Sequence, residues 1–163
     1  LLKVEQGEIE VYDNMGHSTF VKEENSILTY TNIPIGIRTK NCAIFTEIDL
    51  IKEAKMNEVL KAGEVLSLKE LLPYQEGKII NMDIAHNDKM KFVLMSFSAN
   101  TGLAEHSAPG DALIFALEGE GIIGYEGKEH KIKAGENFRF AKNGKHYVKS
   151  ETNFKMALLL TLE

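Results

Sequence analysis

The sequence predicts an all-β fold, a sandwich or barrel of short antiparallel strands, on three observations. Short apolar stretches rich in β-branched residues recur at close spacing, at Ile9–Val11, Phe92–Met95, Ala112–Leu117, Gly121–Tyr125 and Lys155–Leu160. Glycine, asparagine and aspartate punctuate the intervals between them, as turns between strands require. Gly121–Tyr125 and Lys128–Lys133 face each other across Glu126-Gly127, which predicts a hairpin whose tight turn uses the positive φ open to Gly127.

Helix signals are confined to the middle of the chain. Ile51–Lys61 is rich in Lys, Glu, Ala, Met and Leu and is followed by Gly63, so a linker helix is expected within residues 51–63. Ser67-Leu68-Lys69-Glu70 has capping-box spacing, and Pro73 would stop the short helix that it starts.

A self-comparison lays Leu1–Leu50 over Leu113–Leu162 without a gap, at an offset of 112 residues. Gly7-Glu8 matches Gly119-Glu120, Glu24-Asn25 matches Glu136-Asn137, and both copies end in an apolar strand. The expected organisation is therefore a partial β unit at 1–50, a linker at 51–63 and a complete barrel at 64–163. Half a barrel would expose a sheet edge and an apolar face. Leu1–Leu50 is accordingly expected to pack on the barrel or to pair with a second chain in a homodimer.

Bulk properties narrow the function classes. With 163 residues, 44% of them hydrophobic, the chain can build one ordinary domain, or a small domain plus part of another. A formal net charge of −5 offers no broad attraction for nucleic acid or anionic membranes. Cys42 is the single cysteine, which excludes an intrachain disulfide and a multi-cysteine metal site and fits a reducing, cytoplasmic setting. The apolar run Met156–Leu160 is far too short to span a bilayer, and Leu1–Glu10 lacks the order of a signal peptide. Because the first residue is Leu rather than Met, the start is expected to be processed, truncated or the edge of an expressed segment.

The chemistry-bearing residues lie between 100 and 150. One run reads Asn100-x5-His106-x-Ala108-x3-Ala112-x6-Gly119, and a second reads Gly135-x5-Ala141-x-Asn143-x2-His146-x3-Ser150. Every spacing matches the two motifs of the cupin superfamily, Gly-x5-His-x-His-x3-Glu-x6-Gly and Gly-x5-Pro-x-Gly-x2-His-x3-Asn. The segment from Glu64 onward resembles the small single-barrel cupins. The resemblance implies a double-stranded β-helix, or jelly-roll, barrel preceded by a partial cupin-like segment. It also implies that His106 and His146 stand at metal-ligand positions, while Ala108 and Ala112 replace a second His and a Glu.

Alternation along a strand turns His106 and Ala108 to the same face, and a partner strand can bring His146 opposite them. Two imidazoles would leave a metal to complete its shell with water or substrate, whereas catalytic zinc sites keep three protein ligands. The expected cofactor is thus none, or a weakly bound divalent transition metal (Zn, Fe, Ni, Mn or Cu). Each histidine also has a plain structural reading, as a neutral core residue satisfied by a backbone carbonyl. His17, His86 and His130 are read as surface residues, and strand parity turns Glu105 and Asp111 away from the site. In the first copy the second-motif positions fall on Glu23, Thr29, Thr31, Pro34 and Arg38, with Pro34 in the place of His146.

The expected function is a small-molecule binding module, without catalysis, whose pocket includes Ala108, Ala112 and Ala141. The alternative is a metal-dependent dioxygenase, isomerase or lyase using His106 and His146. A third reading treats the barrel as an oligomerisation or regulatory domain with no ligand. Ser107 and Ser150 lie near the histidines, yet no Gly-x-Ser-x-Gly elbow or orienting carboxylate accompanies them. Gly119-Glu-Gly-Ile-Ile-Gly124 matches a dinucleotide fingerprint by letters only, because it sits in a hairpin rather than at a strand-to-helix turn.

Overall fold

Apolar residues alternate with polar ones over short runs, so the chain folds into strands with one buried face. Within Glu8–Asp13, for example, Ile9 and Val11 are buried while Glu8 and Tyr12 face outwards. The computed structural model describes residues 1–50 and 54–162, which divide into two compact units, Leu1–Leu68 and Lys69 onwards.

The first unit contains β1 (Leu2–Gln6), β2 (Glu8–Asp13), β3 (Ser18–Lys22), β4 (Ser26–Ile27), β5 (Ile35–Arg38), β6 (Ile44–Glu47), β7 (Lys55–Met56) and β8 (Val65–Leu66). All but β7 form two sheets, one in the order β6-β1-β4-β8 and another in the order β3-β2-β5. Leu2, Val4, Ile9, Val11, Val21 and Ile27 make its core.

The second unit opens with a one-turn 3-10 helix at Leu68–Leu71, where the capping-box spacing placed it. Its strands are β9 (Ile79–His86), β10 (Met90–Phe97), β11 (Thr101–Gly102), β12 (His106–Ser107), β13 (Ala112–Tyr125), β14 (Lys128–Lys133), β15 (Asn137–Phe140), β16 (Lys145–Ser150) and β17 (Phe154–Thr161). The two strands expected at Ala112–Leu117 and Gly121–Tyr125 are one 14-residue strand, β13, that serves both sheets of the barrel. Its first half lies between β17 and β15, and its second half between β16 and β14. A bulge between Ala116 and Glu118, followed by Gly119 at φ +75°, turns the strand from one sheet into the other. The outer edge of β17 pairs with β10, which pairs with β9. Phe97, Ile114, Ile123, Phe140, Val148, Phe154 and Met156 fill the interior.

The hairpin at Glu126-Gly127 forms as predicted, with Tyr125 opposite Lys128 and both central residues at positive φ. The helix expected over Ile51–Lys61 is not found. Ile51, Lys52 and Glu53 lie outside the described residues, and residues 54–63 run through β7 and turns. The Asn57 side-chain oxygen accepts the Val59 N–H, and the Asn57 carbonyl accepts the Leu60 N–H. That local turn takes the backbone groups a helix would have used.

The internal repeat has a physical signature in the backbone. β1 carries a bulge between Val4 and Gln6, matching that between Ala116 and Glu118, and Gly7 at φ +81° matches Gly119. Four backbone hydrogen bonds recur one for one. Val4 N–H to Asn25, Glu23 to Gly7, Glu24 to Val4 and Asn25 to Lys22 correspond to Ala116 to Glu136, Ala134 to Gly119, Gly135 to Ala116 and Glu136 to Lys133. These pairs correct the gapless alignment. Glu8 faces Lys22 where Glu120 faces Lys133, so the offset is 112 residues through β2 but 111 from β3 onwards. The turn Asn14-Met15-Gly16 is one residue longer than Glu126-Gly127. Ile35 therefore stands where His146 does, each opposite the end of the matching strand at Asp13 or Tyr125, and Pro34 does not. The remaining second-motif positions shift likewise, to Glu24, Tyr30, Asn32 and Thr39.

The correspondence also defines what the first unit lacks. In the described residues, β6 and β5 are outer strands of their sheets, whereas the matching β17 and β16 are flanked by β10 and by β11 and β12. The large exposed apolar side chains cluster accordingly, since Tyr12, Met15, Phe20, Tyr30, Ile35, Ile44, Phe45, Val59 and Val65 all belong to the first unit. Ile44 is 58% exposed, whereas Lys155 at the matching position is buried. Lys155 Nζ donates to the Lys69 carbonyl at 2.7 Å, lies 3.4 Å from the Glu118 carboxylate and sits over the Tyr74 ring.

Candidate functional site

The site is built by two short strands at one end of the barrel. β12 pairs antiparallel with β16 in the register that puts His106 directly opposite His146 and Ser107 opposite Lys145. Directly opposed residues share a face and approach within about 5 Å, and here the two imidazole centroids are 4.4 Å apart with planes inclined at 57°. On its other side the His146 ring stacks on Phe140, 4.0 Å away and 16° from parallel. His146 is 5% exposed, while His106 is exposed at the mouth.

Both rings are held by the same device. Each Nδ1 bonds the carbonyl two residues earlier in its own chain segment, His106 to Ala104 at 2.9 Å and His146 to Gly144 at 2.8 Å. A carbonyl can only accept, so Nδ1 carries a proton in each ring, and the neutral form of either ring has its lone pair on Nε2. Burial holds the His146 imidazole below its ordinary value. The Gly144 carbonyl opposes that shift, and the neighbouring His106 adds to it.

Beside the pair lies a cavity of about 240 Å³, lined by His106, His146, Ser107, Ala108, Ala112 and Phe140 together with aliphatic side chains and Met95 and Met156. Ala141 is not part of the lining. It lies in the turn between β15 and β16, where its N–H donates to the Tyr125 hydroxyl. Asn143 in the same turn donates its N–H to the Ala108 carbonyl and ties β12 to the site.

The motif spacings now have a structural reason. The four positions at which the cupin motifs carry glycine are Asn100, Gly119, Gly135 and Asn143, and all four have φ between +61° and +88°. Asparagine tolerates the left-handed region better than other side chains do, which explains how two of the four glycines can be replaced.

The residues do not fit the four-ligand metal centre that such motifs imply. His106 and His146 line one space, but Ala108 and Ala112 bring no donor to it, and no group of three or more His, Cys, Asp or Glu that could hold a metal occurs among the described residues. The other polar residues near the motifs are engaged elsewhere. Asp111 pairs with Arg139 at 2.8 Å and accepts the Lys142 N–H, and the Arg139 guanidinium holds its carboxyl below the ordinary value. His17 pairs with Asp13 at 2.8 Å, His86 lies 3.9 Å from Asp83, and the His130 ring is 5.1 Å from Phe138. Ser150 is buried with its hydroxyl on the Ser98 carbonyl. Sequence reasoning missed Phe140, although its place in the apolar run before the second histidine marks it as an inward residue of β15.

Comparison with known proteins agrees with this architecture. Residues 93–162 match the model of the Cupin domain family. A Cupin 2 conserved barrel domain protein from Leptotrichia buccalis is 24% identical with a TM-score of 0.70, over 98% of this chain and 72% of that one. A cupin superfamily protein from Desulfitobacterium hafniense is 22% identical with a TM-score of 0.62, over 64% of this chain and 95% of that one. A predicted oxalate decarboxylase from Thermotoga maritima is 20% identical with a TM-score of 0.50, over 53% of this chain and 83% of that one. Comparison with curated proteins produced no match. No helix among the described residues is long and apolar enough to cross a membrane. With the barrel, the motif backbone and the family match in agreement, residues 93–162 form a cupin domain, and the second unit has the cupin barrel fold.

Proposed function

We propose that the barrel is a binding module for a small organic molecule, taken up in the cavity beside His106 and His146. The observation that carries this reading is the lining itself. It is a mostly apolar concave space with a few polar groups in its lining, the usual anatomy of a small-molecule site. Ala108 and Ala112 support it, because two small apolar side chains stand where a metal centre would need donors and leave room for a ligand instead.

The test is a thermal-shift screen of small uncharged organic compounds, repeated on Ala108→Phe, which fills the mouth. Compounds that raise the Tm of the parent and not of the variant are expected. A screen in which no compound shifts the parent would overturn the reading.

A second reading, a metal-dependent cupin enzyme, draws on the adjacent imidazoles of His106 and His146 and on the relative described as a predicted oxalate decarboxylase. It requires substrate and water to supply the remaining donors. Metal analysis of protein purified without chelator separates the two. Stoichiometric metal that disappears in His146→Ala favours the enzyme, and its absence favours the binding module.

A further inference from the structure

We infer that the ligand class of this cavity is an uncharged compound of one or two rings bearing a hydroxyl or N–H donor, such as a phenol, with that donor pointing at the histidine pair. The inference rests on the binding-module reading above and deepens it.

Three observations carry it. First, both Nδ1 atoms are occupied as donors to their own backbone carbonyls, at 2.9 and 2.8 Å. The polar groups that the pair can offer in its neutral form are Nε2 acceptors, and a ligand O–H or N–H donor satisfies one of them. Second, no lining residue is Lys, Arg, Asp or Glu, so the cavity holds nothing to neutralise a carboxylate, a phosphate or an ammonium group. An anion placed there would meet two lone pairs and lose its water, a desolvation cost that apolar walls do not return. Third, Phe140 lies flat against His146, and the walls behind are Ile114, Val148 and Leu158, surfaces suited to a flat apolar body. A cavity of about 240 Å³ lies below the usual range for drug-sized ligands, which is about 300–1,000 Å³, and limits that body to one or two rings.

The geometry also orders the affinities. A phenol gains the hydrogen bond and the apolar contacts, toluene gains the contacts alone and leaves Nε2 of the buried His146 unpaired, and a carboxylate loses on both counts. Unpaired buried acceptors are what give a polar site its discrimination.

The experiment is calorimetric or NMR titration of the full chain at neutral pH with p-cresol, toluene and p-toluate. It is repeated on His146→Phe and, because that substitution is in a buried position, also on the exposed His106→Phe. p-Cresol is expected to bind about 10-fold more tightly than toluene, as one hydrogen bond to a buried acceptor allows, with no measurable binding of p-toluate. In at least one of the two folded variants that preference should collapse towards parity. Toluene or p-toluate binding as tightly as p-cresol, or a preference unchanged in both variants, overturns the ligand class while leaving the binding-module reading intact. Failure of all three probes overturns both.

Discussion

The His146 ring lies flat on Phe140, 4.0 Å from it and inclined by 16°, so the histidine at the second motif is packed as a core residue as well as aimed into a cavity. Protonating it would put a charge in a buried position beside His106. Burial lowers its pKa below the ordinary 6.5. The folded state therefore takes up this proton at lower pH than the unfolded state. The stability it contributes is complete above about pH 6.5 and is lost as pH falls through the depressed folded-state value. Tm measured from neutral pH downwards should fall more steeply for the parent than for His146→Gln. Parallel curves would exclude this residue as the source.

Restoring the lost donors should restore a metal site. Ala108 and Ala112 line the same cavity as the two histidines. The double variant Ala108→His/Ala112→Glu is expected to bind a divalent transition metal stoichiometrically, where the parent does not. Without metal it should be destabilised by roughly 2 kcal/mol or more, because the Glu carboxyl is buried unpaired, and metal should return that stability by mass action. Metal titration followed by thermal melts measures both effects. Equal binding by parent and variant would contradict the account.

The repeat makes a prediction through one exchanged pair. Tyr12 faces Gly36 in β2 and β5, while at the matching place in β13 and β16 Gly124 faces Tyr147. A Cβ on Gly36 would fall 2.3 Å from the Tyr12 ring, and one on Gly124 would fall 2.0 Å from the Tyr147 ring. Each pair has room for one tyrosine and works in either orientation. Gly36→Tyr alone should destabilise by about 2 kcal/mol. Tyr12→Gly/Gly36→Tyr should be at least about 1 kcal/mol more stable than the sum of the single changes, a coupling read by a double-mutant cycle in denaturant.

Much of this was legible in the residues, and the rest failed for identifiable reasons. Motif spacing fixes where His106, Ala108, Ala112 and His146 fall on their strands, and period-2 parity brings the first two of these to one face. The hairpin at Glu126-Gly127 could be read because Gly127 supplies a positive φ between two strand-like runs, whereas the positive φ of Glu126 could not be. The repeat was visible but misregistered after Gly16, since an extra turn residue changes no apolar pattern and shows only once Glu8 is seen opposite Lys22. The linker helix failed because propensity summed over Ile51–Lys61 ignores the competing side-chain turn at Asn57. The Nδ1 bonds to Ala104 and Gly144 depend on ring rotation and left no trace in the sequence.

The exposed apolar side chains of the first unit predict self-association. Ile44 and Phe45 on β6, an outer strand among the described residues, are 58% and 38% exposed, and an edge of this composition recruits other strands. Light scattering across a concentration series should show a mass that rises with concentration. Ile44→Lys/Phe45→Lys should lower it towards the single-chain value. A parent that stays monomeric throughout would contradict the prediction.

The central claim, that His106 and His146 present two Nε2 acceptors to a small organic ligand, is tested most directly by nitrogen-15 NMR of the imidazoles with and without p-cresol. The account predicts Nδ1–H tautomers in both rings of the free protein and a shift of at least one Nε2 signal on saturation. Nε2–H tautomers in the free protein, or Nε2 signals that p-cresol leaves unmoved, would contradict it.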